Sequence, residues 1–297
     1  MEIYIVALVL LSALFHACWN YLSKASNSPQ LFLAWIAMAS ISISATVFLT
    51  LRPMIPSSIW LYIIASAIVH FVYLVSLSQA YAAGEISYVY PITRSAPGLI
   101  PIFAILFLGE KISFQGVIGI FCTLVSVYLL IRPEGLHSIH NFMDYLKKPE
   151  SFWSFSTLAT VVAYSIIDKK GMAEFYGQVG DSKIMNALVY LLAESFLSSV
   201  LYVSYIVYRF PWKEIITIGR NSATRIFVST FLKISSYSLI LYVLMTQPVS
   251  YISAIRQFSV IFVILLGGLS LGESQLKLRL ISASTMIAGI FLIATAT

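Results

Sequence analysis

Residues 87–110 read SYVYPITRSAPGLIPIFAILFLGE, and residues 250–273 read SYISAIRQFSVIFVILLGGLSLGE. Each stretch opens on Ser-Tyr and closes on Leu-Gly-Glu, and the two glutamates, Glu110 and Glu273, stand 163 residues apart. The same offset pairs His70 with Lys233, Gly119 with Ser282 and Ser126 with Gly289. Upstream the offset shortens to about 148, which sets Asn20 against Asp168. A register held over this distance reads as a duplication, with each copy carrying the same succession of elements.

Those elements are apolar runs. A membrane-spanning helix needs about 20 mostly apolar residues, and ten runs qualify: 3–23, 31–51, 59–81, 86–108, 113–131, 152–168, 184–208, 226–245, 248–271 and 279–296. Turn-forming residues separate them, among them Asn27-Ser28-Pro29, Arg52-Pro53, Ala83-Gly84-Glu85, Arg132-Pro133 and Gln247-Pro248. Five spans per copy is an odd number, so the second copy enters the membrane from the opposite side. The expected fold is all-α and integral to the membrane, ten transmembrane helices as two inverted five-helix repeats around a central cavity. The first repeat takes residues 1–131, a connector 132–151 and the second repeat 152–297. Within the connector, Ile139, Phe142, Met143 and Leu146 alternate with polar residues at helical spacing, which fits a helix lying on the membrane surface or a plain linker.

Composition agrees. Hydrophobic residues fill 59% of the 297 positions and charged residues 10%, against roughly 25% charged in ordinary globular domains. The mean hydropathy is +0.90. The net charge of +6 suggests nucleic acid until the basic residues are mapped. Most lie in short segments between apolar runs, where they suit lipid headgroups, so no nucleic-acid partner is expected. Cys18 and Cys122 both fall inside apolar runs and imply neither a disulfide framework nor a zinc site. The run from Ile3 to Leu22 lacks a basic leader and is too long for a signal peptide core, so it reads as the first spanning helix.

Several short motifs, in this order and spacing, resemble one family. They are His16-Ala17-Cys18-Trp19-Asn20 with Lys24, the proline-marked run Tyr90-Pro91…Pro97…Pro101, the two Leu-Gly-Glu ends, and Tyr164…Asp168-Lys169-Lys170-Gly171. The chain is similar, over nearly its whole length, to the EamA-type ten-helix members of the drug/metabolite transporter superfamily. The resemblance implies two five-helix bundles around a cavity lined by helices 1, 3, 4, 6, 8 and 9, and alternating access without ATP hydrolysis. It implies a secondary transporter for a small metabolite and does not name the metabolite. A lipid or lipid-carrier flippase of the same fold is the first alternative, and a polytopic membrane enzyme the second. A monomer is expected, with a homodimer as the alternative.

Ionisable groups inside a membrane helix cost at least about 2.5–3.5 kcal/mol on insertion scales, so each needs a compensating role. Arg94, Glu194, Lys233 and Arg256 sit deep within runs, as do His16 and His70, with Asp168 toward the end of its run. Polar or aromatic companions stand one turn away at His16/Asn20, Tyr90/Arg94, Tyr164/Asp168 and Lys233/Tyr237, and His70 shares a face with Tyr73. Such stripes describe helices turned toward a polar cavity. The blander reading makes them buried structural pairs, such as Glu194 neutralising Lys233 or Arg94. Three deep cations against few acids favour an anionic or zwitterionic solute, because a guanidinium matches carboxylate or phosphate in a fork. The expected binding residues are therefore His16, Asn20, His70, Tyr73, Arg94, Tyr164, Asp168, Glu194, Lys233, Tyr237 and Arg256. Protonation of His16, His70 or Glu194 would offer coupling to protons, with exchange as the other mode.

Other candidates read as structure. Glu110 and Glu273 are helix-end residues, and Gly116, Gly119, Ser282 and Gly289 let helices pack closely. His137 and His140 share a loop without a third ligand, so no metal is expected. No Walker, GxSxG or zinc signature is present, and no cofactor is expected. Orientation is contested within the sequence. Ten basic residues, from Lys24 to Arg279, fall on one side and five, from Arg52 to Lys183, on the side shared by both termini. The positive-inside rule sets the termini outside, whereas the resemblance implies cytoplasmic termini in a cell or inner membrane.

Overall fold

The computed structural model describes residues 3–96, 98–99, 103, 113–131, 147–179, 183–245, 247, 252, 255–272 and 275–295. The described residues are helical throughout, with no strand among them. In chain order the helices are α1 (Ile3–Lys24), α2 (Pro29–Leu51), α3 (Ser57–Ala83), α4 (Ile86–Arg94), α5 (Phe114–Ile131), α6 (Pro149–Val179), α7 (Lys183–Arg209), α8 (Trp212–Asn221), α9 (Ala223–Leu244), α10 (Phe258–Ser270) and α11 (Leu276–Ala294). Among the described residues five helices are long and apolar enough to cross a membrane, within α1, α2, α3, α7 and α9, and shorter apolar stretches lie in α5 and α10.

Local sequence explains the boundaries. Ser28 Oγ accepts the Leu31 N–H at 3.4 Å and Pro29 opens α2, where its missing N–H costs nothing. Arg52 closes α2 in the left-handed region at φ 43°, its N–H returning to the Phe48 carbonyl, and Pro53 blocks continuation. Inside the helices, hydroxyls that would be stranded in lipid bond back to the preceding turn. Ser23 donates to the Trp19 carbonyl at 2.8 Å, and Ser40 to that of Ile36 at 2.8 Å.

Helix pairs in contact include α1 with α9, α3 with α6, α5 with α11, α2 with α7, α3 with α7, α1 with α10, α7 with α9, α4 with α6 and α4 with α10. The α5–α11 seam is close because of its small residues. A Cβ placed on Gly289 would stand 2.7 Å from the Gly119 carbonyl and 2.8 Å from Cys122 Cβ. The glycine reading of that seam therefore has a geometric basis.

Two connectors of the sequence reading are partly helical. Run 152–168 continues as helix to Val179. Polarity at Asp168-Lys169-Lys170 does not end it, because the buried Asp168 finds partners and the Lys169 ammonium bonds the Leu244 and Gln247 carbonyls at 3.0 and 3.2 Å. The stretch 209–225 contains α8, whose Ile215 and Gly219 are buried against α2. Trp35 donates its indole N–H to the Ile215 carbonyl at 2.7 Å. In run 86–108 the continuous helix ends at Arg94, with the Ser95 N–H bonded to the Ile92 carbonyl. Most of the surface-helix segment 139–148, the first Leu-Gly-Glu, Glu273, Pro97, Pro101, His137 and His140 lie outside the described residues.

Candidate functional site

Polar side chains from α1, α3, α6, α7 and α9, with Arg256 just ahead of α10, converge on one cavity. Its volume is about 50 Å³. Its wall is aromatic. The His70 and Tyr164 rings stack at 4.1 Å between centroids and 21° between planes. Tyr73 and Tyr237 stand edge-on to Tyr164 at 5.7 and 6.2 Å. Trp19, Leu74, Leu191 and Ile234 complete the apolar lining.

Charge is divided between two ends. At the first, Arg256 Nη2 stands 3.0 Å from His16 Nδ1, and the Trp19 indole N–H stands 3.3 Å from the same atom. A guanidinium and an indole only donate, so Nδ1 accepts and the ring proton sits on Nε2. Arg94, the last residue of α4, donates from Nη2 to the Tyr73 hydroxyl at 3.2 Å and lies 5.5 Å from the Tyr90 ring centre. Tyr90 turns its hydroxyl to Ser259 at 3.1 Å. Neither guanidinium has a carboxylate within 4.0 Å among the described residues. Three donors, His16 Nε2, Arg94 Nε and Arg256 Nε, are buried with no hydrogen-bond partner among those residues. Orphaned donors in an apolar setting each cost about 1–3 kcal/mol, which a bound acceptor would offset.

At the other end, Glu194 is 2% exposed and its Oε1 lies 3.3 Å from His70 Nδ1. Ser195 donates to Oε2 at 3.3 Å. Lys233 is half-buried on the cavity wall and forms no ion pair within 4.0 Å among the described residues. Glu194 and Lys233 still interact through charge, at more than 4.0 Å, while the group in contact with the carboxylate is His70.

The structure brings His16, His70, Tyr73, Tyr164, Glu194, Lys233, Tyr237 and Arg256 to the cavity wall. It sets Arg94, Asn20 and Asp168 behind that wall. Asn20 is fully buried; its Nδ2 donates to the His16 carbonyl at 2.7 Å and its Oδ1 accepts the Tyr81 hydroxyl at 2.6 Å. Asp168 is likewise buried and accepts three hydroxyls, from Ser66 at 2.6 Å, Tyr190 at 3.0 Å and Tyr237. Its four helices, α3, α6, α7 and α9, are tied at that carboxylate.

Residues 3–132 match the model of the EamA-like transporter family. The match spans less than half of the 297 residues, so the chain is similar to that family over its first part. The family is part of the drug/metabolite transporter superfamily. Across the solved structures 28 chains match. One crystal structure, described only as that of a protein, shares 13% identity over 97% of this chain and 98% of its own, with a TM-score of 0.61. At that identity the likeness concerns the fold alone. No curated protein matches the chain.

The EamA-like segment holds His16, Asn20, His70, Tyr73 and Arg94, while Tyr164, Asp168, Glu194, Lys233, Tyr237 and Arg256 lie beyond it. Its apolar helices mark an integral, multi-pass membrane protein, and the match likens its first part to transporters of the drug/metabolite type. Several participants escaped the sequence reading. Trp19 stands inside the quoted EamA-type opening motif, and Tyr190 and Ser198 flank Glu194 at one helical turn, so helical spacing around the deep acid would have found them. Ser66 is one turn before His70 and carried no other signal.

Proposed function

We propose that the protein is a secondary active transporter that carries a small anionic or zwitterionic organic solute by alternating access between two inverted five-helix repeats. His16 Nε2–H and Arg256 on the wall, with the Arg94 charge behind them, carry this reading: orphaned donors and permanent cations with no carboxylate within 4.0 Å among the described residues. A carboxylate or phosphate entering there gains charge-assisted hydrogen bonds in a low-dielectric site. Glu194 at the far end suits an ammonium on the same solute.

Two observations support the inverted repeat. Lys24, on α1, bonds the Tyr81 and Gly84 carbonyls at 2.7 and 2.6 Å, closing α3. Lys169, on α6, does the same for Leu244 and Gln247 at the end of α9. The acceptor pairs are 163 residues apart (81 to 244, 84 to 247), which is the offset of the Leu-Gly-Glu motifs. The lysines set the upstream register at 145 residues (24 to 169), three short of the one that pairs Asn20 with Asp168. The helix pairing has the matching symmetry: exchanging the halves turns the α1–α9 pair into α6–α3, and returns α2–α7, α4–α10 and α5–α11 to themselves.

The reading is tested by thermal shift of the purified protein against amino acids, phosphonates, sugar phosphates and nucleosides, since a ligand stabilises the state it binds. Stabilisation by anionic or zwitterionic compounds, lost in Arg256→Met, is expected. Stabilisation by nucleosides alone would overturn the anion preference. Turnover of the ligand into a new species would mark an enzyme, and transfer of a lipid between leaflets a flippase. The resemblance favours termini on the cytoplasmic side and the Lys/Arg count the opposite; labelling of a cysteine placed at Met54, after replacement of Cys18 and Cys122, decides the side.

A further inference from the structure

The polar groups behind the cavity wall form a directed chain of hydrogen bonds that the anion site does not use. Ser66 Oγ lies 2.6 Å from Asp168 Oδ1, and a carboxylate accepts only, so the hydroxyl proton points at Asp168. The same oxygen lies 3.1 Å from His70 Nδ1, and that nitrogen also lies 3.1 Å from the Ser66 carbonyl and 3.3 Å from Glu194 Oε1. A carbonyl requires a donor, so the His70 proton sits on Nδ1, where Ser66 Oγ can also accept it; Glu194 Oε1 is near but takes no hydrogen bond. His70 Nε2 then turns its lone pair toward the cavity that the ring lines. The chain therefore runs from the cavity through His70 and Ser66 to Asp168, with each donor aimed inward.

We infer that His70, Ser66 and Asp168 form a proton relay that loads Asp168 from the cavity. The step balances. A proton from cavity water adds to His70 Nε2 as the Nδ1 proton passes to Ser66 Oγ and the Ser66 hydroxyl proton passes to Asp168 Oδ1. The water is left as hydroxide or, starting from hydronium, as water. Asp168 ends as a neutral acid donating to Ser66 and Ser66 donates to His70 Nδ1, whose lone pair then meets the Ser66 carbonyl, so loading also requires the imidazole to turn off that carbonyl. Tyr190 and Tyr237 remain donors to Asp168 in both states. The titratable and charged groups facing this chain are Tyr73 from α3, Tyr164 from α6, Tyr190 and Glu194 from α7, and Lys233 and Tyr237 from α9.

The consequence rests on the transport reading above. Loading Asp168 removes one negative charge behind a wall that carries Lys233 and Tyr237, so the cavity becomes more attractive to an anion. The relay would thus couple an anionic solute to a proton moving in the same direction. Its two ends differ in kind: the His16 imidazole, whose Nδ1 accepts from Arg256 and Trp19, has no onward hydrogen-bond partner among the described residues and is not part of the chain.

The test needs no transported ligand, so it separates the relay from the transport reading. Infrared difference spectra of the full-length protein in lipid are recorded as pH is lowered from about 8 to 5. A carboxylic-acid C=O band should appear, shift on labelling the side-chain carboxyl of aspartate with carbon-13, and vanish in Asp168→Asn. It should persist in Glu194→Gln. After a pH jump, Ser66→Ala should slow its appearance at least about ten-fold while leaving its amplitude, because the intermediate carrier is gone. A band that responds to labelled glutamate instead, that survives Asp168→Asn, or that is absent over the whole range would overturn the relay. The isotope shift holds even if the Asp168 variant does not fold.

Discussion

Lys233→Met separates a binding cation from a structural one. The ammonium stands on the cavity wall with no carboxylate within 4.0 Å among the described residues, and methionine fills a similar volume in an apolar helix. If Lys233 holds an anionic group through one charge-assisted hydrogen bond, about 1.5–3 kcal/mol of binding is lost. That corresponds to roughly 10- to 150-fold weaker affinity at about 1.4 kcal/mol per decade. Folding stability should fall by less than a contact pair would cost, because the Glu194 carboxylate lies more than 4.0 Å away and keeps His70 beside it. A structural ion pair behaves differently: removing one member of a buried pair strands the other and costs about 3–5 kcal/mol. The assay is the melting temperature of the variant together with its affinity for the anion found in the thermal-shift screen. A melting temperature lowered by less than loss of a contact pair would cause, with affinity down ten-fold or more, is the expected outcome. Unchanged affinity in a well-folded variant, or a collapse in stability, refutes the assignment.

Other consequences follow from single contacts. Gly289→Val should destabilise by about 1–3 kcal/mol, read as a lower melting temperature, because its Cβ would already stand 2.7 Å from the Gly119 carbonyl. Gly219→Ala should act similarly, since its new methyl would stand 2.2 Å from the Trp35 ring; a rise in melting temperature would show that α8 shifts freely. Lys24→Met and Lys169→Met should each cost about 1.5–3 kcal/mol and match one another closely, as each strands the carbonyl end of an equivalent helix. Grossly unequal losses would count against the repeat. Tyr237→Phe removes one of three hydroxyls on Asp168 and should lower stability by about 0.5–1.5 kcal/mol in thermal melts, with most of the carboxylate's bonding retained.

Helix positions were largely written in apolar run length, because lipid leaves a backbone little choice but to bond within itself. What run length misjudged was polar helix. The apolar run closes at Asp168, yet the helix continues through Lys169 and Lys170 as the interior of α6, since partners on α3, α7 and α9 compensate Asp168 and Lys169. The amphipathic α8 was hidden in a connector for the opposite reason: only Ile215 and Gly219 of it are buried. The site residues stood out because charge in a membrane helix demands a reason, and this brought His16, His70, Glu194, Lys233 and Arg256 forward. Same-face pairing was less informative about partners. Tyr164 faces the cavity while Asp168, one turn on, points away to three hydroxyls. Arg94 bonds Tyr73 of another helix, whereas its neighbour Tyr90 offers only a ring. Periodicity along one helix places a residue on a face; the partner on the next helix depends on packing that periodicity does not encode.

The central claim is that a solute crosses unchanged through a cavity whose cations hold its anionic end. Counterflow in proteoliposomes tests it most directly: vesicles are loaded with unlabelled solute, the anionic or zwitterionic compound selected by thermal shift, and diluted into a trace of labelled compound. Transient accumulation of label, without ATP, chemically unaltered and abolished in Arg256→Met, is the predicted result. Label that equilibrates no faster than in protein-free vesicles, or that emerges as a different compound, would contradict it.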